Sequence, residues 1–178
     1  MKQLVLSALL ASAFALPAHA TMKVGDTAPD FTLQASEAGK QSSFTLTDAL
    51  KKGPVVVYFY PKAFTKGCSI EAHEFAAAID QYHALGARVI GVSHDDIATL
   101  DRFSVQVCQS KFPVAADTDG AVMKAWDTVL KENVAYANRT SYVIAPDGHI
   151  IYVFTDLDPD HHVDNTLKAI RDWKATQK

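Results

Sequence analysis

Pro54-Val55-Val56-Val57-Tyr58-Phe59-Tyr60 is a run of β-branched and aromatic residues that feeds directly into Pro61-Lys62-Ala63-Phe64-Thr65-Lys66-Gly67-Cys68. A strand with one wet face alternates apolar and polar residues, and this run does not. It reads as a central strand buried on both sides. Beyond the loop, Ala72, Phe75, Ala76, Ile79 and Tyr82 recur at helical spacing. The unit is strand, loop, helix, with Cys68 in the helix's first turn. Gly86 ends that helix, and Ala87–Ser93 is a second buried strand.

Toward the N-terminus, Gly25-Asp26-Thr27-Ala28-Pro29-Asp30 is turn-rich, Phe31-Thr32-Leu33 alternates like a short strand, and Ser43–Leu46 is its expected hairpin partner. Toward the C-terminus, His94-Asp95-Asp96 caps a helix whose stripe is Ile97, Leu100, Phe103/Ser104 and Val107. Val114–Ala116 is a short strand, Asp117–Gly120 a turn, and a helix follows through Trp126. Ser141–Ile144 and His149–Phe154 flank the turn Pro146-Asp147-Gly148, and a last helix carries Val163, Leu167, Ile170 and Trp173. This order predicts an α/β domain, a central mixed β-sheet flanked by helices on both faces, with no repeat, linker or second domain.

The 178 residues include 17 basic and 20 acidic side chains, a net charge of −3, and two cysteines. A mixed, slightly acidic charge argues against nucleic acid or a polybasic membrane surface as partner. Two cysteines cannot build a disulfide-dense scaffold. Lys2, the apolar run Leu4–Leu16, Pro17 and the small-x-small Ala18-His19-Ala20 have the form of a signal peptide. The apolar run falls short of the ~20 residues needed to span a bilayer. Residues 1–20 are therefore expected to be cleaved, and residues 21–178 to form a domain with no membrane attachment. The expected destination is the periplasm, with secretion beyond it as the alternative. In that oxidising compartment Cys68 and Cys108 can pair.

Cys68 carries the chemistry in this reading. In a helix's first turn it meets unpaired backbone N–H groups and the positive end of the helix dipole, and both favour thiolate over thiol. The same N–H groups can hold an oxygen bearing developing negative charge. Thr65 is close enough for its hydroxyl to reach the sulfur or a bound oxygen. Pro61 stiffens the strand exit and offers no competing N–H.

The pattern Pro61-x-x-x-Thr65-x-x-Cys68 resembles the active-site signature of the peroxiredoxins, thiol peroxidases on a thioredoxin-like fold. Three further stretches are similar to family segments: Gly25–Leu33; Phe112-Pro113 with Asp117 and Gly120; and Arg139-Thr140-Ser141-Tyr142-Val143-Ile144 with Pro146-Asp147-Gly148. The resemblance implies that Cys68 is the peroxidatic nucleophile and that Arg139 lowers its pKa and binds the peroxide. It implies that Thr65 orients the peroxide, that Pro61 shields the pocket, and that Gly67 lines the substrate site with Thr65, Cys68 and Arg139. Glu71 is read as a helix-face acid that braces the arginine or the helix start. No cofactor and no metal are implied. The electron donor would be a thioredoxin-like or glutaredoxin-like dithiol protein, and the chain a monomer.

The subfamily most resembled is the Q-type, or bacterioferritin-comigratory, group. Many of its members carry a second cysteine five residues after the first, where this chain has His73. Other members resolve through a cysteine on the next helix, which makes Cys108 the expected resolving thiol in a Cys68–Cys108 disulfide. A permanent structural disulfide between the same residues is the competing reading. Lys66 stands where many members have proline, and Ala145 where an aspartate is common. His161-His162 invites a metal reading, but a polar helix entry is the simpler one. Cys68 is followed by Ser-Ile-Glu, so no Cys-x-x-Cys supports a disulfide oxidoreductase. The Pro61, Thr65, Cys68 and Arg139 set argues against a non-catalytic binding domain.

Overall fold

The computed structural model describes residues 22–177, so the expected signal peptide lies outside the described residues. In chain order the elements are β1 (Thr32–Glu37), β2 (Lys40–Thr45), α1 (Leu46–Leu50), β3 (Val55–Phe59), α2 (Lys66–Ala84), β4 (Arg88–Ser93), α3 (Ile97–Gln106), β5 (Val114–Ala116), α4 (Ala121–Ala125), β6 (Thr140–Ile144), β7 (Ile150–Thr155) and α5 (His162–Thr176). The strands form one sheet in the order β2-β1-β5-β4-β3-β6-β7. β3, β4 and β5 run parallel, joined through α2 and α3, while β6 and β7 extend the sheet antiparallel on one side and β1 and β2 on the other. The mixed α/β sheet expected from the strand and helix order is the one observed.

β3 explains why the sheet needs two covers. All five of its residues are buried. Val56 and Tyr58 join the core formed with Phe75, Ile79 and Tyr82 of α2, Leu100 and Phe103 of α3, and Leu167 and Ile170 of α5. Val55, Val57 and Phe59 point the other way, into a core with Leu46 and Leu50 of α1, Val122 and Met123 of α4, and Trp126. The alternation is the period-2 geometry of a strand whose two faces both meet apolar layers.

Most boundaries fall within one residue of expectation, and three features differ by more. The N-terminal hairpin is longer than Phe31–Leu33 and Ser43–Leu46: β1 and β2 pair from Thr32↔Thr45 to Glu37↔Lys40. Its turn is Ala38-Gly39, both at positive φ. Leu46 opens α1, a five-residue helix too short to show a period. Cys108 does not stand on α3, as the resemblance implied, but in the turn just beyond it. There the Cys108 N–H reaches back to the Phe103 carbonyl at 3.1 Å, and the chain leaves the helix through left-handed Gln109 (φ 53) and Ser110 (φ 61). The residue is nonetheless fully buried and shares a core with Cys68.

Tyr58 and Gly91 are register partners across β3 and β4. The Tyr58 ring covers Gly91 so closely that a Cβ there would lie 2.7 Å from its Cζ and hydroxyl. The ring cannot retreat easily, because it stacks on Phe75 at 4.4 Å and on Tyr60 at 5.5 Å. Gly91→Ala should therefore destabilise the protein by about 1–3 kcal/mol, the usual cost of overpacking. The measurement is a urea unfolding midpoint at unchanged slope. An unshifted midpoint would show that the aromatic stack gives way freely.

Candidate active site

The loop from Pro61 to Thr65 is fixed at three points. The Ala63 N–H donates to Asp95 Oδ2 at 2.8 Å, and the Ser93 hydroxyl donates to the same oxygen at 2.9 Å, so the end of β4 anchors the loop. The Thr65 hydroxyl donates to the Lys62 carbonyl at 2.9 Å. Phe64 lies in the left-handed region (φ 63) and sets its ring edge-on to Phe103, centroids 5.2 Å apart. A left-handed non-glycine residue costs about 1–2 kcal/mol, and here it turns the chain that leaves β3 into α2. Asp95 was expected to belong to a helix cap with His94 and Asp96. Only Asp96 caps α3, accepting from the Thr99 N–H at 2.8 Å. His94 Nδ1 instead lies 2.8 Å from the Asp117 carbonyl.

α2 begins at Lys66, which makes Cys68 its third residue. The Ser69 N–H bonds the Thr65 carbonyl at 2.9 Å and opens the helical ladder. The N–H groups of Gly67 and Cys68 precede it and have no helical acceptor. They point beyond the helix start, where an oxygen can be held. Cys68 itself is buried.

Arg139, immediately before β6, is 4% exposed and uses its fork on three acceptors, two in α2 and one beyond β7. Nη2–H donates to Cys68 Sγ at 3.5 Å, Nη1–H to Glu71 Oε2, and Nε–H to the Leu157 carbonyl at 2.9 Å. Glu71 stands three residues after Cys68 in α2 and is fully buried. Burial pushes its carboxyl up to about 8 against the opposing pull of Arg139. Burial acts downward on the guanidinium, but the charges of Glu71 and Cys68 outweigh it and leave Arg139 above its ordinary value. Glu71 thus pairs with the arginine. Gly67 makes room for the fork: a Cβ there would lie 3.1 Å from Arg139 Nη2.

The remaining expected residues fall as follows. Pro61 is half-buried at the strand exit. Thr65 is exposed and spends its hydroxyl on Lys62, not on the sulfur. Cys108 is buried, and burial pushes its thiol far up. Both cysteines are free. Lys66 is exposed. His73, also exposed, places Nδ1 3.1 Å from Gln109 Nε2, one residue beyond Cys108. Ala145 is buried, and its carbonyl takes the Gly148 N–H at 2.9 Å in the β6–β7 turn.

Two residues at the site were not foreseen. Asp95 is one. The other is His162, which is fully buried at the start of α5 while His161 forms the exposed N-cap. His162 Nδ1 lies 2.9 Å from Ser141 Oγ and 3.6 Å from Glu71 Oε1, and Nε2 lies 3.0 Å from the Asp156 carbonyl. Burial pushes this imidazole down. Adjacent histidines at a helix entry carry no sign of which one turns inward.

The arrangement presents a buried sulfur, a helix start with free N–H groups, and a guanidinium donating to the sulfur. That equips it for nucleophilic attack by a thiolate with stabilisation of a departing oxygen. Gly67→Ala tests the fit of the fork. The added methyl should displace the guanidinium by tenths of an ångström and slow Cys68 alkylation roughly tenfold. The thermal midpoint should move little. Unchanged alkylation would show that the fork does not need the glycine.

Residues 24–153 match the AhpC/TSA family model. Peroxiredoxin Bcp of Xanthomonas campestris is 30% identical over 122 residues, which cover 66% of this chain and 76% of that one. Chloroplastic peroxiredoxin Q of Oryza sativa subsp. japonica is 32% identical over 148 residues, 83% of this chain and 66% of that one. Among solved structures, PrxQ of Xylella fastidiosa superposes with a TM-score of 0.76 at 28% identity, covering 89% of this chain and 99% of that one. Peroxidoxin BcpB of Mycobacterium tuberculosis gives 0.76 at 30% identity, with 85% and 97% covered. With the family match running from the turn-rich N-terminal segment into β7, and the thioredoxin-like fold shared with solved relatives, the chain belongs to the AhpC/TSA family and is a thiol peroxidase of the peroxiredoxin kind.

Proposed function

We propose that Cys68 is the peroxidatic thiol and that Cys108 resolves it through an intramolecular disulfide. The observation that carries the first half is the Arg139 fork, which donates to the Cys68 sulfur from a buried position. The thiolate attacks the terminal oxygen of a hydroperoxide. An S–O bond forms as the O–O bond breaks, and the leaving oxygen departs as water or an alcohol once protonated. Cys68 is left as a sulfenic acid. The Arg139 N–H groups and the free N–H groups at the start of α2 are placed to bind the peroxide oxygens and stabilise the negative charge that develops on them.

In the second half, the Cys108 sulfur attacks the Cys68 sulfur, an S–S bond forms and the hydroxyl leaves as water. The two sulfurs belong to one core cluster, which supports the pairing. Their Cα atoms need to come within about 7 Å for the bond to form. The first turn of α2 and the turn after α3 both open for this. A thioredoxin-like or glutaredoxin-like dithiol then supplies two electrons and restores both thiols. The signal-like Met1–Ala20 supports a periplasmic setting for this cycle. A monomer is sufficient, because both sulfurs come from one chain.

Reduced protein mixed with one equivalent of hydrogen peroxide should lose both thiols and give one intramolecular disulfide by mass. Cys108→Ser should stop at the Cys68 sulfenic acid or pass to the sulfinic acid. Cys68→Ser should leave Cys108 unreacted. If Cys108 is consumed as fast without Cys68 as with it, the assignment of roles fails. An alkyl hydroperoxide run in parallel ranks the substrates.

A further inference from the structure

Glu71 shows its two carboxyl oxygens to different neighbours. Oε2 accepts from Arg139 Nη1–H. Oε1 is buried, has no hydrogen-bond partner among the described residues, and faces His162 Nδ1 at 3.6 Å. Both side chains are 0% exposed, so no bulk water intervenes. His162 Nε2 lies 3.0 Å from the Asp156 carbonyl, which only accepts, so Nε2 carries a hydrogen. In a neutral ring Nδ1 then carries a lone pair and no hydrogen. The Ser141 hydroxyl can serve that nitrogen as donor or acceptor, and Oε1 stays unpaired either way. An ionised carboxylate oxygen against a lone pair in a dry site is repulsive, and an unpaired buried acceptor adds its own desolvation cost.

A proton between Oε1 and Nδ1 removes both penalties, and a small side-chain rotation brings the atoms to hydrogen-bond distance. We propose that Glu71 and His162 hold one proton between them, so that the pair behind Arg139 is electrically neutral. The proton's position on Oε1 or on Nδ1 does not alter that charge. With the pair neutral, the single positive charge of Arg139 is left for the Cys68 thiolate. With the proton gone, the buried cluster holds two anions against one cation, which disfavours the thiolate. His162 is thus a positioning residue. It also holds the Asp156 carbonyl beside Leu157, whose own carbonyl takes Arg139 Nε–H.

The charged groups around the pair come from every packed element. Glu71 is faced by Arg139 and by Glu74 of its own helix, and His162 by Arg139 and Asp156, with the Asp158 backbone beside it. Burial pushes Glu71 to about 8, so the proton is present below that value and leaves as pH rises through it. Cys68 reactivity should fall across that same step. The consequence for catalysis rests on Cys68 being the peroxidatic thiol, whereas the shared proton does not.

The test is NMR of the reduced full chain, reading glutamate carboxyl ¹³C and histidine ring ¹⁵N against pH. Loss of signals in Glu71→Gln and His162→Gln supplies the assignments. The expected result at neutral pH is either a protonated Glu71 carboxyl or a His162 ring protonated on both nitrogens. A Glu71 carboxylate beside a singly protonated His162 would overturn the proposal, and the wild-type titration decides this even if a variant does not fold. Alkylation of Cys68, read by peptide mass, should drop about tenfold across the alkaline step, the effect of one pK unit. That drop should be missing in Glu71→Gln, whose amide carries no proton to lose. An equal drop in the variant would cut the link to the sulfur while leaving the peroxidase reading intact.

Discussion

The Arg139 fork is the constraint on which the site is built. Its three donors tie Cys68 and Glu71 of α2 to the entry of β6 and to the Leu157 carbonyl beyond β7. A guanidinium presents these donors in one rigid plane, so the parts it joins have little freedom relative to one another. The sheet sets the other end of the measurement. β6 pairs with β3 so that Thr140 lies opposite Phe59, which puts Arg139 level with the strand exit leading to Cys68. A one-residue slip in that pairing would turn Arg139 to the far face and empty the site. Lysine could supply the charge but not the fork.

Chemistry pulls against this rigidity. Cys68 and Cys108 are buried in one core but held on separate segments, and a bond between them needs both to open. The helix starts show where opening is easy. α3 is closed by the Asp96 side chain, which accepts from the Thr99 N–H. α2 has no such side-chain cap from Thr65 and no acidic residue in its first turn. Phe64 before it and Gln109-Ser110 after Cys108 sit in the left-handed region, so each segment gains backbone freedom when released. The hydrogen bond between His73 and Gln109 spans the two segments and breaks with them. A weakly capped helix start above a well-packed sheet lets local unfolding proceed without global unfolding.

Much of this was legible in the sequence, and the reason differs by residue. β3 and β4 show as unbroken apolar runs because both faces of the sheet are covered. Cys68 and its loop show because strand, loop and helix start are contiguous in the chain. Arg139 could be placed only through resemblance, since its contacts lie 68 and 71 residues away. Asp95 and His162 were missed for a related reason. Each acts on a backbone or carboxyl group of another element, and nothing local distinguishes them from capping or surface residues. Cys108 was expected on α3 because members of the resembled subfamily resolve from that helix. The helix stops short of it, and the turn that follows closes on the carbonyls of Phe103 and Ser104.

A site of this kind does not add stability. Burying charged groups costs several kcal/mol per ion, and apolar residues of similar volume often do as well or better. The load is carried instead by the two apolar cores on either side of β3, which need nothing from Arg139 or Glu71. That division explains the glycine at the helix start. Alanine at position 67 would favour the helix, because glycine is the weaker helix former by roughly 0.8–1.0 kcal/mol. The space it would fill is the one that Arg139 Nη2 occupies next to the sulfur. Helix stability is given up at the point where the Arg139 fork reaches Cys68.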